Sequence, residues 1–451
     1  MELSRDLNNR LRVLLVEAEW TQEHLARQVN RVAAESGVVL SLDRRSVSHW
    51  LSGRRPRPPV PDLVAEAFSR RLGRTLTGRD TGLVDGGSGQ LGFGDGDVSA
   101  ELSEVAALHR PRGVGSAGVY SAAALMAPAW DAVRGARACP PQEAAGRLTA
   151  DDAVCAEQMV RVFADCDDAF GGGRSRSALA SYLAQDLGPR LRAQGESRVR
   201  GRLLAAGVQL AYLCGFMCFD DGKHGAAQRY YRITLRLAAE RGDPAGYAIA
   251  LRAMSVQAGA LGHHREAADL ASAAIGTGAL TGMRRAFLLG QVAVATAGDG
   301  DRAGALTALS AAERVVERAG SSGGEAMGGY HASSLAHQRA AVMTLLGDRP
   351  GAIEALAESI RDRPVHERRS RALTLAKMAE LELLCGHLDA ATQTWHRFLD
   401  DYPQLTSARA DAAAARMRAM VRPHSRNRSV AALLARVPAR GRAGGGPRPR
   451  G

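Results

Sequence analysis

The sequence predicts an all-α protein: a small N-terminal helical domain, a Gly-rich linker and a C-terminal α-solenoid of paired helices. Three observations predict it. The 451 residues are 45% apolar but only 4% aromatic, so the core is built from Ala, Leu and Val, a palette that suits close-packed helices and serves a large β-sandwich poorly. Apolar residues recur at helical spacing in the first eighty residues and again beyond residue 150. Past residue 205, a glycine followed five residues later by an alanine returns five times, each time between two apolar-periodic segments.

Leu3, Leu7, Leu11, Leu14 and Leu15 lie at helical spacing and give the first helix. Thr21 is a good N-cap for the second, "TQEHLARQV", with Trp20 and Leu25 at the positions of a hydrophobic staple. Asp43 caps a third helix in the same way, where Leu42 and Val47 take the staple positions. Within "DRRSVSHWLSG", Val47, Trp50 and Leu51 face inward, while Arg44, Arg45, Ser48 and His49 face mostly outward. Two arginines in a first turn oppose the helix dipole, whose amino end is already positive. A purely structural helix has little use for that arrangement, but a helix aimed at phosphates and base edges does. Gly53 then ends the helix, and "RRPRPP" carries Arg54, Arg55 and Arg57 on a stiff extended segment. "PDLVAEAFSRRLG" adds a closing helix with Val64, Phe68 and Leu72 on one stripe.

The stretch "WTQEHLA…RRSVSHWLSGRRPRP" resembles the helix-turn-helix of phage-repressor-type (XRE/Cro) regulators. On that resemblance Gln22 contacts phosphate, and Arg44, Arg45 and His49 occupy base-reading positions. The candidate DNA-binding set is therefore Gln22, Arg44, Arg45, Ser46, Ser48, His49, Arg54, Arg55 and Arg57. Leu25 and Trp50 stand further apart than is usual in such domains, because "NRVAAESGVVL" lengthens either the second helix or its turn.

Residues 1–78 form this domain, and 79–100 read as a flexible linker, because "GRDTGLVDGGSGQLGFGDGD" is Gly-rich and without periodicity. Gly87, Gly89 and Gly92 have GxGxxG spacing, but no apolar strand precedes them and no helix follows, so a dinucleotide site is not expected. Residues 101–204 form a helical region before the repeats, including "AEQMVRVFADCDDAF" and "SALASYLAQDLGPRLR", with "GGGRSR" as the turn between them. The glycine–alanine pairs are Gly222/Ala227, Gly262/Ala267, Gly298/Ala303, Gly347/Ala352 and Gly386/Ala391. Pro364 and Pro403 each follow a repeat alanine by twelve residues, where a helix would end.

These pairs resemble tetratricopeptide repeats, in which Gly turns the chain between two helices and Ala permits their close approach. Most of the motif's Trp and Tyr are missing. Five divergent repeats over about 205–405 sit in a repeat domain of 205–437, and the basic, low-complexity tail 438–451 is expected to be disordered. Together with "RSALASYLAQDLGPRL", "CGFMCFDDGKHGAAQRYY" and "TWHRFLDDYPQL", the chain resembles a family of Streptomyces regulators related to the NsdA-type negative regulators of differentiation and antibiotic production. That resemblance implies control, as a repressor, of developmental or secondary-metabolite genes.

Lys+Arg 59 against Asp+Glu 47 gives +12, and all the cations but Lys223 and Lys377 are arginine. A basic surplus permits a polyanionic partner. Enzyme chemistry is not expected: His263, His264, His331, His337 and His396 have no carboxylate or thiol at ligand or triad spacing, and no Walker lysine motif occurs. Cys214 and Cys218 lie four apart on one helical face, but no second pair or neighbouring His completes a metal site, so reduced buried thiols and no cofactor are expected. The amino terminus carries no secretory signal, and the apolar stretch "AYLCGFMCF" is too short to span a bilayer. The expectation is a cytoplasmic, nucleoid-associated regulator without membrane contact. It binds double-stranded DNA, forms a homodimer and takes a peptide or protein in its repeat groove. The alternative is a repeat-type interaction scaffold without sequence-specific DNA binding.

Overall fold

A computed structural model describes residues 7–36, 38–84, 96–109, 118–135, 146–278, 280–319 and 330–437. Among the described residues every regular element is a helix, apart from one isolated bridge between Arg147 and Gln194.

The N-terminal helices are α1 (Asn9–Glu17), α2 (Gln22–Glu35), α3 (Arg44–Leu51) and α4 (Val60–Leu72). Thr21 Oγ1 accepts the His24 N–H at 3.1 Å and opens α2. Asp43 accepts the Ser46 N–H at 2.9 Å and opens α3. Leu11 and Leu14 of α1, Leu25 and Val29 of α2, Val47 and Trp50 of α3, and Leu63 and Phe68 of α4 bury into one core. Helix α1 starts later than its leucines suggest. Asn8 caps it through the Leu11 N–H, which leaves Leu7 outside the helix and exposed, while Leu3 lies outside the described residues. The extra length between Leu25 and Trp50 is shared between helix and turn: α2 runs for 14 residues, and 36–43 connect it to α3. Asn30 holds that long turn in place. Its Nδ2 donates to Leu42 O at 2.9 Å, and its Oδ1 accepts the Leu42 N–H at 3.0 Å.

The expected linker, 79–100, is folded at both ends. Thr81 and Leu83 are buried, Asn8 Nδ2 donates to Thr81 O at 3.0 Å, and Arg10 donates to Arg79 O at 3.0 Å. Gly82 serves contact as well as turning: at φ +69° it passes so close that a Cβ would stand 2.4 Å from Asn8 Oδ1. At the far end Asp97 caps α5 (Val98–Ala107), whose Leu102 and Val105 enter the repeat core. Residues 85–95, with Gly87, Gly89 and Gly92, lie outside the described residues, as does the tail 438–451.

Next come α6 (Trp130–Val133), α7 (Ala150–Phe170), α8 (Gly172–Tyr182) and α9 (Gly188–Leu191). The helix expected over "SALASYLAQDLGPRLR" widens into a π turn at Leu183–Leu187, just before Pro189 removes a backbone donor. The turn expected over "GGGRSR" shrinks to Gly171 alone, at φ +81°, and the rest of that stretch opens α8; the junction is tightly packed, since a Cβ on Gly172 would meet Met217 Cα at 2.6 Å.

Helix pairs then stack in solenoid-like fashion. They are α10 (Ser197–Asp220) with α11 (His224–Arg241), α12 (Pro244–Ala260) with α13 (His264–Ile275), and α14 (Gly282–Gly298) with α15 (Arg302–Ala319). After these come α16 (Ala332–Leu345) with α17 (Arg349–Arg361), and α18 (Arg368–Leu384) with α19 (Leu388–Asp401). Helices α20 (Ala408–Val421) and α21 (Arg428–Arg436) close the array. The first pair thus begins at Ser197, before the expected boundary at 205. Helix α10 is long and apolar enough to cross a membrane, so "AYLCGFMCF" belongs to a longer apolar element than it suggests; most of that helix is buried against its neighbours.

One repeat pair needs a two-residue correction. Gly222, Gly262, Gly347 and Gly386 have positive φ, but in the third pair the positive-φ residue is Gly300, and Gly298 is still helical. The matching alanine is Ala305, which is buried, whereas Ala303 is exposed. In this register all five turns share one hydrogen-bond pattern: the residue after the glycine donates to a carbonyl five residues back, as His263 does to Ala258 O and Asp301 to Thr296 O. The alanines at 227, 267, 305, 352 and 391 are all buried.

Candidate nucleic-acid interface

Helix α3 is built to present one face. Val47 and Trp50 anchor it in the core, against α1 and α2, and Arg44, Arg45, Ser48 and His49 are exposed. Leu51 is only half-buried. The Ser46 hydroxyl is engaged at the cap, donating to Asp43 Oδ1 at 2.8 Å while accepting the Asp43 N–H at 3.4 Å. These hydrogen bonds, the Ser46 backbone first and its side chain next, hold the Asp43 carboxyl below its ordinary pKa. A charged carboxylate therefore sits on the amino end of α3, so contact with a polyanion falls to the outward side chains and not to the free N–H groups.

Gly53, at φ +87°, ends α3 with the same hydrogen-bond device as the repeats: Arg54 N–H reaches back to His49 O at 3.0 Å. Arg54, Arg55 and Arg57 follow on an exposed segment before α4, with Pro56, Pro58 and Pro59 restricting the backbone. Gln22, at the first position of α2, is half-buried. Arg44, Arg45, Arg54 and Arg57 make no side-chain hydrogen bond or ion pair among the described residues. Arginines elsewhere in the same domain are paired: Arg74 lies 2.7 Å from Glu17, and Arg70 lies 2.7 Å from Glu66 and 2.8 Å from Glu35.

Helix α4 has two buried sides. Leu63, Val64 and Phe68 face the N-terminal core, and Trp20 stacks on Phe68 with centroids 5.3 Å apart. The other side docks on the turn between α12 and α13. There Glu66 Oε1 lies 2.8 Å from His263 Nε2, both side chains almost wholly buried, and Thr75 Oγ1 donates to Glu266 at 3.1 Å. Tyr120 lies over the His263 ring at 5.6 Å, and burial, then the nearby Glu66, pushes its hydroxyl well above the ordinary tyrosine pKa. Burial opposes the Arg70 charge, but Glu66 and Glu35 hold that guanidinium above its usual value. A continuous polar chain Glu35–Arg70–Glu66–His263 thus joins the end of α2 to the repeats. Beyond the i,i+4 spacing of Glu66 and Arg70, none of it is visible in the sequence, where Glu66 and His263 are 197 positions apart.

The structure also gives Cys214 and Cys218 a histidine partner that no sequence spacing announced. His109, at the end of α5, brings a ring nitrogen to within 4.8 Å of both sulfurs. Pro364 and Pro403 fall just beyond α17 and α19, where helix ends were expected.

Residues 11–84 match the family model described as the SP15 N-terminal domain. The matched segment runs to Val84, past the boundary of 78 expected from sequence. No curated protein matches the chain.

Proposed function

We propose that this protein is a DNA-binding transcriptional regulator whose α3 reads the major groove and whose repeat domain mediates self-association or binds an effector. The observation that carries the reading is the exposed face of α3. Arg44, Arg45, His49, Arg54 and Arg57 are all exposed, and the four arginines make no ion pair among the described residues, in a domain whose other arginines include well-paired ones. That is the electrostatic footprint expected for phosphate and base-edge contacts. The resemblance to phage-repressor-type regulators supports the same assignment, and the further resemblance to Streptomyces negative regulators favours repression of developmental or secondary-metabolite genes. No catalytic role is assigned.

A DNA titration of the full chain at several salt concentrations tests it. The reading requires a preferred sequence, selected from a random pool, and affinity that falls steeply with salt. Replacing Arg54, Arg55 and Arg57 one at a time is expected to lower the salt slope by roughly one unit for each phosphate contact removed. Affinity that is indifferent to both sequence and salt would instead favour the scaffold reading, with the repeats as the working surface.

A further inference from the structure

We infer that His109, Cys214 and Cys218 form a binding site for a single thiophilic divalent cation of the zinc type. The two cysteines stand one turn apart on α10, both fully buried, and their sulfurs lie within 4.8 Å of each other and of a ring nitrogen of His109. The spacing of four places two ligand side chains on the same face of a helix. The third ligand arrives from a different element, so the site ties the end of α5 to the first repeat helix.

The donor set selects the cation. Two thiolates and an imidazole suit zinc, while magnesium and calcium demand oxygen. With bonds of about 2.3 Å to sulfur and about 2.0 Å to nitrogen, a tetrahedral ion holds its ligand atoms about 3.4–3.8 Å apart. The present spread therefore closes by side-chain rotation of about 1 Å, without moving a helix. Two thiolates also cancel a divalent charge, which leaves no net charge buried by the ligands. The Tyr230 hydroxyl, 3.2 Å from His109 Nε2, borders the fourth position, which a water hydrogen-bonded to it would fill without adding charge. The second nitrogen has company too. Arg176 lies against His109 Nδ1 and already holds Asp221 at 3.1 Å, so it can turn fully to that carboxylate when the ring takes a metal. A cleft of about 240 Å³, lined by Ser103, Ala106, Ser177, Ser181 and Gln185, opens beside His109.

The role is structural. A cation here would staple α5 to α10 as a disulfide would, in a core that has no disulfide among the described cysteines.

The full chain, purified without chelator, is expected to hold close to one equivalent of zinc. After removal of the metal, one equivalent of cobalt(II) is expected to give thiolate-to-cobalt charge-transfer absorption and to raise the melting temperature. His109→Gln removes a ligand at a half-buried position without creating a core cavity. It is expected to weaken cobalt binding by tenfold or more, while its melting temperature in chelator matches that of the native chain. Cys218→Ser is expected to abolish the charge-transfer band. Less than a tenth of an equivalent of bound metal, together with no charge-transfer band at saturating cobalt, would overturn the inference. So would an undiminished band in His109→Gln, which would show the thiols binding without the histidine.

Discussion

If α3 reads DNA as proposed, Arg44 and Arg45 are the residues on which discrimination would depend, and the capped geometry of α3 makes them separable from backbone-binding arginines. With Asp43 occupying the amino end of the helix, any discrimination between bases must come from side chains that project outward. A bidentate arginine–guanine contact contributes about 1–3 kcal/mol of discrimination. Arg44→Ala or Arg45→Ala is therefore expected to weaken specific binding by that amount and random-sequence binding much less, as measured by competitive titration. Equal losses on both DNAs would make the two residues phosphate clamps. The outward placement of Arg44 and Arg45 was legible because it depends on local signals: a cap at Asp43, an inward stripe of Val47 and Trp50, and a glycine stop. Ser46 was harder to read. Its outward position says nothing of whether the hydroxyl faces solvent or folds back on Asp43, and here the shorter path wins.

Among the helices, the repeat pattern was legible in kind and misplaced by two residues in one copy. "AGDGDRAGA" offers two glycines and two alanines at the same spacing, and only backbone conformation chooses between them. The helix ends where a residue can adopt positive φ and satisfy the last carbonyls, and Gly300 does both. The test is direct. Ala305→Leu pushes a large side chain into a closed helix–helix contact and is expected to cost about 1–3 kcal/mol or more. Ala303→Leu projects into solvent and is expected to stay within about 0.5 kcal/mol. Chemical denaturation of the two variants compares them.

A second element-level prediction concerns the contact of α7 with α18. Arg369 faces three aspartates there: Asp167 at 3.0 Å, Asp168 at 3.6 Å and Asp220 at 3.9 Å. Burial raises the Asp167 pKa to about 7, with Arg369 opposing and Asp220 adding to the rise. The folded pKa lies above the unfolded one, so the cost to stability grows as pH rises from about 4 to about 7, is complete above 7, and is relieved as pH falls back through that range. Asp167→Asn removes the ionisation and keeps the shape. Its melting temperature is expected to exceed that of the native chain at about pH 8, with the difference shrinking as pH falls and closing only at about pH 4 or below. A loss at both pH values would mean that the ion pair with Arg369 outweighs the burial of the charge.

For the molecule as a whole, the proposed DNA reading raises the question of what would hold two copies of α3 at the right separation. A single α3 spans only a few base pairs, so selective binding calls for a dimer with recognition helices about 34 Å apart in successive major grooves. Composition alone suggests a loose tether at 79–100, which could raise local concentration without fixing a distance. The buried Glu66–His263 contact changes that argument, because it seats the reading head directly on the second repeat pair. It escaped the sequence reading for a plain reason: a pairing across 197 positions leaves no periodicity behind, whereas caps and stripes act within a few residues. If the repeats dimerise and the latch sets the spacing, tether length should matter little and the latch a great deal. Six Gly-Ser residues inserted within 85–95 are then expected to leave operator affinity within about twofold, since each doubling of a flexible loop costs only about 0.6 kcal/mol. His263→Ala leaves the N-terminal domain's own sequence intact but removes the partner of Glu66. It is expected to lower operator affinity by an order of magnitude or more while light scattering still reports a dimer. The opposite ranking, with the insertion costly and His263→Ala silent, would return control of the spacing to the tether. A monomeric full chain would remove the need for any spacing device and leave the latch as a domain contact alone.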